Sequence, residues 1–183
     1  MKIEELEIPD CFQITPNVLK DHRGAFTKTF HNDTFAEFGL NIEIKEEFYS
    51  ISNKNVLRGL HFQKPPSAHN KLVYCAKGAV LDFFIDLRRG SPKYGQHLSI
   101  ELNESNGLIL YLPIGIAHGF LSLEDNSLMV YKTDCSYDSE SDCGIGFSSC
   151  DIKLPIDALD IIMSKRDQKL CRLKEYQSEF VYE

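Results

Sequence analysis

Apolar and polar residues alternate in short tracts along most of this chain. "LNIEIKEEFYSIS" (residues 40–52) switches with period two, the pattern of a strand buried on one face. "QHLSIEL" does the same and places Leu98, Ile100 and Leu102 on one side. "LILYLP" is apolar throughout, as a strand covered on both faces is. "KLVYCA" and "AVLDFFIDLR" flank Lys77-Gly78, which predicts a two-residue hairpin turn. "IAHGFLSL" and "SLMVYKTDC" flank the turn "EDN". Upstream, residues 11–30 read as extended chain turning at "TPN" and "DHRG". "NDTFAEFGL" predicts a short helix, with Thr34 and Glu37 as a capping box and Gly39 where the helix stops. The tail, "PIDALDIIMSKRDQKLCRL", changes to a helical apolar spacing. Many short strands at intervals of about 8–12 residues argue for a sandwich or barrel over a parallel sheet. The expected fold is all-β, one antiparallel jelly-roll domain over 1–183, with short peripheral helices near residues 33–39 and at the C-terminus.

Composition narrows the function. At 183 residues the chain suits one sizeable domain, and 43% hydrophobic with 26% charged residues is ordinary for a globular protein. A net charge of −7 argues against a nucleic-acid partner, yet leaves room for an anionic small ligand held by a few cations in a cleft. The opening "MKIEELEIPD" has no apolar core of a signal peptide, and no run is long enough to span a membrane. The six cysteines include no CxxC pair, so free thiols and a cytoplasmic setting are expected.

The chemistry concentrates in "NVLRGLHFQKPPSAHNKLVYCAKG", residues 55–78. His22, His31, His69 and His97 lie in polar loops or on an outward strand phase and are expected to be solvated. His61 and His118 sit within apolar strands, where the alternatives are a satisfied core histidine or a functional one. In a regular strand Arg58 and His61 face opposite ways; a bulge at Gly59 brings them to one side. Lys71 shares a strand face with Val73 and Cys75, and pointing inward it requires an anion. Asp82 poses the converse problem, with His61 or Lys71 as its candidate partner. Tyr131 and Tyr137 share a face if their strand runs on regularly. There is no HxH or HxE pair for a metal and no GxSxG elbow for a nucleophile.

The string from Arg58 to Phe120 resembles the dTDP-4-dehydrorhamnose 3,5-epimerase family. The resemblance rests on "NVLRGLHFQ", "KLV" (71–73), "DLRRGSPKYGQ" (86–96), "LPIGIAHGF" (112–120) and "VYKTD" (130–134), with "DHRGAF" (21–26) and "MSKRD" (163–167) at the ends. It implies a cupin-type jelly-roll, a homodimer exchanging an N-terminal arm (about residues 1–30), and catalysis without cofactor or metal. It further implies His61 as base, oriented by Asp167 with Asp82 as the alternative, Lys71 beside the enolate oxygen and Tyr131 as acid. Arg23 and Arg58 would hold the diphosphate of a nucleotide-linked sugar, His118 the sugar–phosphate pocket, Tyr137 the sugar and base, and Phe26 the base across the dimer. Four positions depart from the family pattern: Lys28 replaces an acidic residue, Glu46 and Phe48 replace a Q-x-N pair, and "SYDSES" lacks a proline. These bear on substrate identity. Epimerisation at C3 or C5 alone, a CDP- or GDP-linked sugar, 3,4-ketoisomerisation and a non-catalytic sugar-nucleotide module are the competing readings.

Overall fold

The computed structural model describes residues 1–182. Its strands are β1 (Lys2–Glu5), β2 (Phe12–Thr15), β3 (Val18–Asp21), β4 (Gly24–Thr27), β5 (Glu46–Ser52), β6 (Leu57–Gln63) and β7 (Lys71–Lys77). They continue as β8 (Ala79–Asp86), β9 (His97–Asn103), β10 (Ile109–Leu112), β11 (Ile116–Ser122), β12 (Ser127–Thr133) and β13 (Asp142–Gly144), with one helix, α1 (Asn32–Glu37). Two antiparallel sheets stack face to face. One has the order β1-β2-β10-β7-β12-β5, the other β13-β6-β11-β8-β9; β3 and β4 form a separate hairpin.

Strand alternation builds three apolar layers. Val73, Cys75, Val80, Phe84, Leu110, Phe120 and Met129 point between the sheets. Leu57, Leu60, Phe62, Phe83 and Ile85 point outward from the five-stranded sheet, against Ile152, Ile161, Met163 and Phe180 of the C-terminal tract. Phe35, Leu40 and Ile42 cover the outer face of the six-stranded sheet over Leu72, Ile109 and Tyr111. With both faces covered, β10 is buried at all four positions, as the apolar run "LILYLP" predicted. Leu98, Ile100 and Leu102 likewise turn together toward the inter-sheet core.

Four local expectations change. Lys77-Gly78 is not a hairpin: β7 pairs with β10 and β12, whereas β8 pairs with β9 and β11, so the turn carries the chain from one sheet to the other. Gly78 has φ +74°, and a Cβ there would lie 2.7 Å from Ser127 Oγ. The N-cap of α1 is His31 rather than Thr34. Its Nδ1 accepts from the Thr34 N–H at 3.4 Å, so Thr34 occupies the third helical position and His31 is engaged, not free. Gly39, at φ +77°, does end the helix. In the tail, helix is limited to the 3-10 turns Ala158–Asp160, Asp167–Lys169 and Leu173–Glu175. There the apolar spacing serves a chain laid flat over the sheet, anchored by parallel bridges from Ile162 to Val56 and from Cys171 to Ile145.

Candidate active site

A cavity of about 580 Å³ opens between the two sheets at one end of the sandwich. Arg58, His61 and Gln63 of β6 and His118 of β11 line one wall; Glu46, Phe48 and Ser50 of β5, Lys71 of β7 and Tyr131 and Thr133 of β12 line the other.

Arg58 and His61 share the cavity because of an irregularity at Gly59. On β11, His118 and Phe120 are two residues apart, but their partners on β6, His61 and Arg58, are three apart. The extra residue is a β-bulge, and it restores the inward phase after Leu60 turns outward. Gly59 has φ +111°, and a Cβ would lie 2.6 Å from both Gly119 Cα and His118 O, so only glycine fits.

His61 Nε2 is 2.8 Å from Asp167 Oδ1. Asp167 sits just beyond the Ile162 bridge, accepts from the Gly59 N–H through Oδ2 at 3.3 Å, and donates its own N–H to Ser164 Oγ at 3.0 Å. Burial pushes its carboxyl upward, but the His61 hydrogen bond and charge, with the Gly59 and Ser164 contacts, outweigh this and hold it below the ordinary carboxylate value. A carboxylate accepting at Nε2 fixes the proton there and leaves Nδ1 with its lone pair free. Asp82 belongs elsewhere: its Oδ2 lies 2.7 Å from His118 Nε2, forming a second, fully buried dyad. Burial raises the Asp82 carboxyl against the opposing charge and hydrogen bond of His118, and its Oδ1 has no hydrogen-bond partner among the described residues.

On the facing wall Lys71 donates to the His61 carbonyl at 3.0 Å. Burial pushes its ammonium down to about 8, with Asp142 and Asp82 partly restoring it. The Tyr131 hydroxyl is 3.4 Å from Ser50 Oγ, and burial raises it further above the ordinary phenol value, so it is protonated at neutral pH. Its ring stacks on Phe48, with centroids 4.8 Å apart and planes 12° apart, and meets the edge of His118 at 6.1 Å.

Tyr137 also lines the cavity, though not as a strand partner of Tyr131. β12 ends at Thr133, and Tyr137 stands in the following loop, 63% exposed at the mouth. Its N–H donates to Glu46 Oε2 at 2.6 Å and its hydroxyl to Asp142 Oδ2 at 3.1 Å. Arg58 Nε donates to Ser52 Oγ at 3.0 Å. Arg23, Phe26 and Lys28 are not brought to this cavity. Arg23 pairs with Asp21 on the exposed β3–β4 hairpin, where it lines a second hollow with Phe26, and Lys28 follows on the surface.

Sequence reasoning missed several cavity residues. His69, expected in solvent, is half-buried in the wall; Gln63 Nε2 is 3.1 Å from its Nδ1, and burial, then the Lys71 charge, push the imidazole down to about 4. Asp142, paired to Arg166 at 2.7 Å, had no signal in the sequence, while Arg166 was visible beside Asp167 in "MSKRD". No three His, Cys, Asp or Glu side chains among the described residues converge as a metal site would require.

A carboxylate-backed imidazole and a phenol on opposing walls, with a cation near the gap, form an arrangement that can move protons on and off carbon beside a carbonyl. Comparison with known proteins agrees. Residues 5–175 match the dTDP-4-dehydrorhamnose 3,5-epimerase family model. The dTDP-4-dehydrorhamnose 3,5-epimerase of Escherichia coli (strain K12) is 38% identical over 179 residues, 96% of either chain. The crystal structure of the Elizabethkingia anophelis dTDP-4-dehydrorhamnose 3,5-epimerase superposes with a TM-score of 0.90 at 38% identity, covering 96% of this chain and 97% of that one. The Legionella pneumophila dTDP-6-deoxy-D-glucose-3,5-epimerase, solved in complex with dTDP-4-keto-L-rhamnose, gives 0.94 at 30% identity over 100% of this chain and 98% of that one. With the His61–Asp167 pair, Lys71 and Tyr131 set around one cavity in a jelly-roll of the same form, this chain belongs to the dTDP-4-dehydrorhamnose 3,5-epimerase family.

Proposed function

We propose that the chain inverts C3 and C5 of dTDP-4-dehydro-6-deoxy-D-glucose. The observation that carries this reading is topological: His61, with Asp167 behind it, comes from the five-stranded sheet, and Tyr131 comes from the six-stranded one. The cavity of about 580 Å³ that both side chains line has room for a pyranose ring between them.

The C4 ketone acidifies the hydrogens on C3 and C5. His61 Nδ1 takes one of these protons, and the electron pair of the broken C–H bond moves to the C4 oxygen as an enolate. The Lys71 ammonium is the group that neutralises this oxyanion. As the enolate collapses, the Tyr131 hydroxyl gives its proton to the opposite face of the same carbon. His61 then releases a proton to solvent and the Tyr131 phenolate regains one, so both groups are reset with no net redox change. Asp167 stabilises the imidazolium during the interval. Arg58 supplies the fork for the diphosphate, His118, held by Asp82 behind it, flanks the sugar, and Tyr137 with Asp142 and Arg166 face the nucleoside at the mouth.

The β3–β4 hairpin supports a homodimeric enzyme. Leu19 is 65% and Phe26 61% exposed on it, and an isolated two-stranded ribbon is marginal in water. Laid into a second copy, it would bring Arg23, Phe26 and Lys28 to that copy's cavity. Six free cysteines suit a reducing, cytoplasmic setting.

The test is NMR of dTDP-4-dehydro-6-deoxy-D-glucose incubated with the enzyme in D₂O, with deuterium expected at C3 and C5 of inverted product. Deuterium at C3 alone would defeat double epimerisation. Mixing Arg23→Ala with His61→Ala subunits tests the shared site, since one intact cavity per heterodimer should restore activity; no recovery would refute the exchanged arm.

A further inference from the structure

The inward residues of β5 hold the residues that line the cavity. Glu46 accepts from the Tyr137 N–H, Phe48 stacks on the Tyr131 ring, Ser50 meets the Tyr131 hydroxyl and Ser52 accepts from Arg58 Nε. Each lies two residues from the next, so one face of one strand touches three residues of the site. Phe48 and Tyr131 are directly opposite in the β5–β12 register, which accounts for the near-parallel stack. Phe48 has no group with which to hydrogen-bond a substrate, and one face of its ring is covered by the phenol.

We propose that Phe48 and Ser50 are positioning residues for the acid. Phe48 fixes the plane of the Tyr131 ring, Ser50 fixes the direction of its hydroxyl, and together they aim the proton at the carbon face opposite His61. This rests on the reading of Tyr131 as acid and His61 as base. It reassigns Phe48 from contact with the nucleoside to contact with the phenol. Among the described residues the ring's other aromatic contact is the edge of His118, 6.1 Å away at 72°, so loss of Phe48 removes the one stacked partner that sets the ring plane.

Two proton events separate this role from a structural one. Abstraction by His61 followed by return to the same face exchanges substrate hydrogen with solvent without inversion, whereas inversion requires Tyr131. In D₂O, Phe48→Ala is expected to slow inverted product by about 3- to 10-fold, the worth of one aromatic pair. Deuterium wash-in to unreacted substrate continues and KM changes little. Phe48→Tyr, which keeps the stack, should restore the ratio of inversion to exchange. In a Tyr131→Phe background, where inversion is lost, Phe48→Ala should leave the remaining deuterium exchange unchanged. Parallel loss of exchange and inversion, a rise in KM alone, or a further fall of exchange in the Tyr131→Phe background would each overturn the proposal. Wild-type enzyme that showed neither exchange nor inversion would instead refute the epimerase reading beneath it.

Discussion

Replacing Asp167 by Asn removes one charge and leaves the cavity's shape intact. The His61–Asp167 contact of 2.8 Å joins two delocalised charges whose centres lie roughly 4 Å apart once His61 has taken a proton. At the effective dielectric of a partly screened site, that pair is worth about 4 kcal/mol, or roughly 10³-fold in rate if all of it is lost. Asparagine keeps an oxygen that can accept from Nε2, so part of the orientation survives, and the expected fall in kcat is about 10²- to 10³-fold. KM should move little, because the lost term arises only when the imidazole is charged. The assay is steady-state conversion of the 4-keto sugar beside deuterium wash-in: both should fall together, since abstraction itself is impaired. Asp167 also caps the Gly59 N–H, so circular dichroism and a melting curve must show the variant folded. A folded Asp167→Asn enzyme retaining kcat within about threefold, while His61→Ala is inactive, would refute the role of the carboxylate.

Lys71 sets an alkaline limit. Its pKa is lowered from 10.5 to about 8, so the ammonium that neutralises the enolate is lost as pH rises through that value, and kcat should fall there; a profile flat to pH 10 would sink the assignment. Stability should move the other way over the same window, because between about 8 and 10.5 the unfolded chain binds more protons than the folded one, as urea midpoints at pH 8 and 10 would reveal. Gly59→Ala must place a Cβ 2.6 Å from Gly119 Cα at φ +111°, so a loss of roughly 2–5 kcal/mol in urea denaturation is expected, with kcat reduced as the bulge relaxes. Tyr131→Phe should abolish inversion while His61-dependent exchange persists; loss of both would contradict the division of labour.

Period-two patterning made the strands legible, because each lies between layers that reward one phase. What it could not show was pairing. Lys77-Gly78 has the chemistry of a hairpin turn, yet the strands on either side belong to different sheets, and only the cross-sheet core of Val73, Val80, Phe84 and Phe120 decides that. The tail misled for a related reason: Ile161 and Met163 face the sheet two residues apart, the period of extended chain rather than of the expected helix, and bridges to Val56 and Ile145 hold the backbone in that form. Of the site, His61, Lys71, Tyr131 and Asp167 were visible through motif strings. Asp142 and His69 were not: His69 reaches the cavity from a loop held by Gln63, and Asp142 from the short strand β13, paired there with Gln63 and tied to Arg166.

The same crossing that hid the pairing explains why this fold suits the chemistry. Inversion at a carbon needs a base and an acid on opposite faces, which a single sheet cannot present to a ring lying against it. In this two-sheet sandwich the chain crosses between walls from β6 to β7 and from β11 to β12: β6 and β11 carry His61 and His118, β7 and β12 carry Lys71 and Tyr131. Opposition of base and acid is therefore a consequence of topology. What topology leaves free is the aim of each group, and the molecule supplies that locally, with Asp167 behind the imidazole and the inward face of β5 beside the phenol. Among the described strands β5 is an edge strand, paired to β12 alone, so the phenol would be steered by a strand free on one side. Substitutions at 46, 48 and 50 should thus retune stereochemical outcome at small cost in stability, whereas those at Gly59 or Asp82 strike the packed wall.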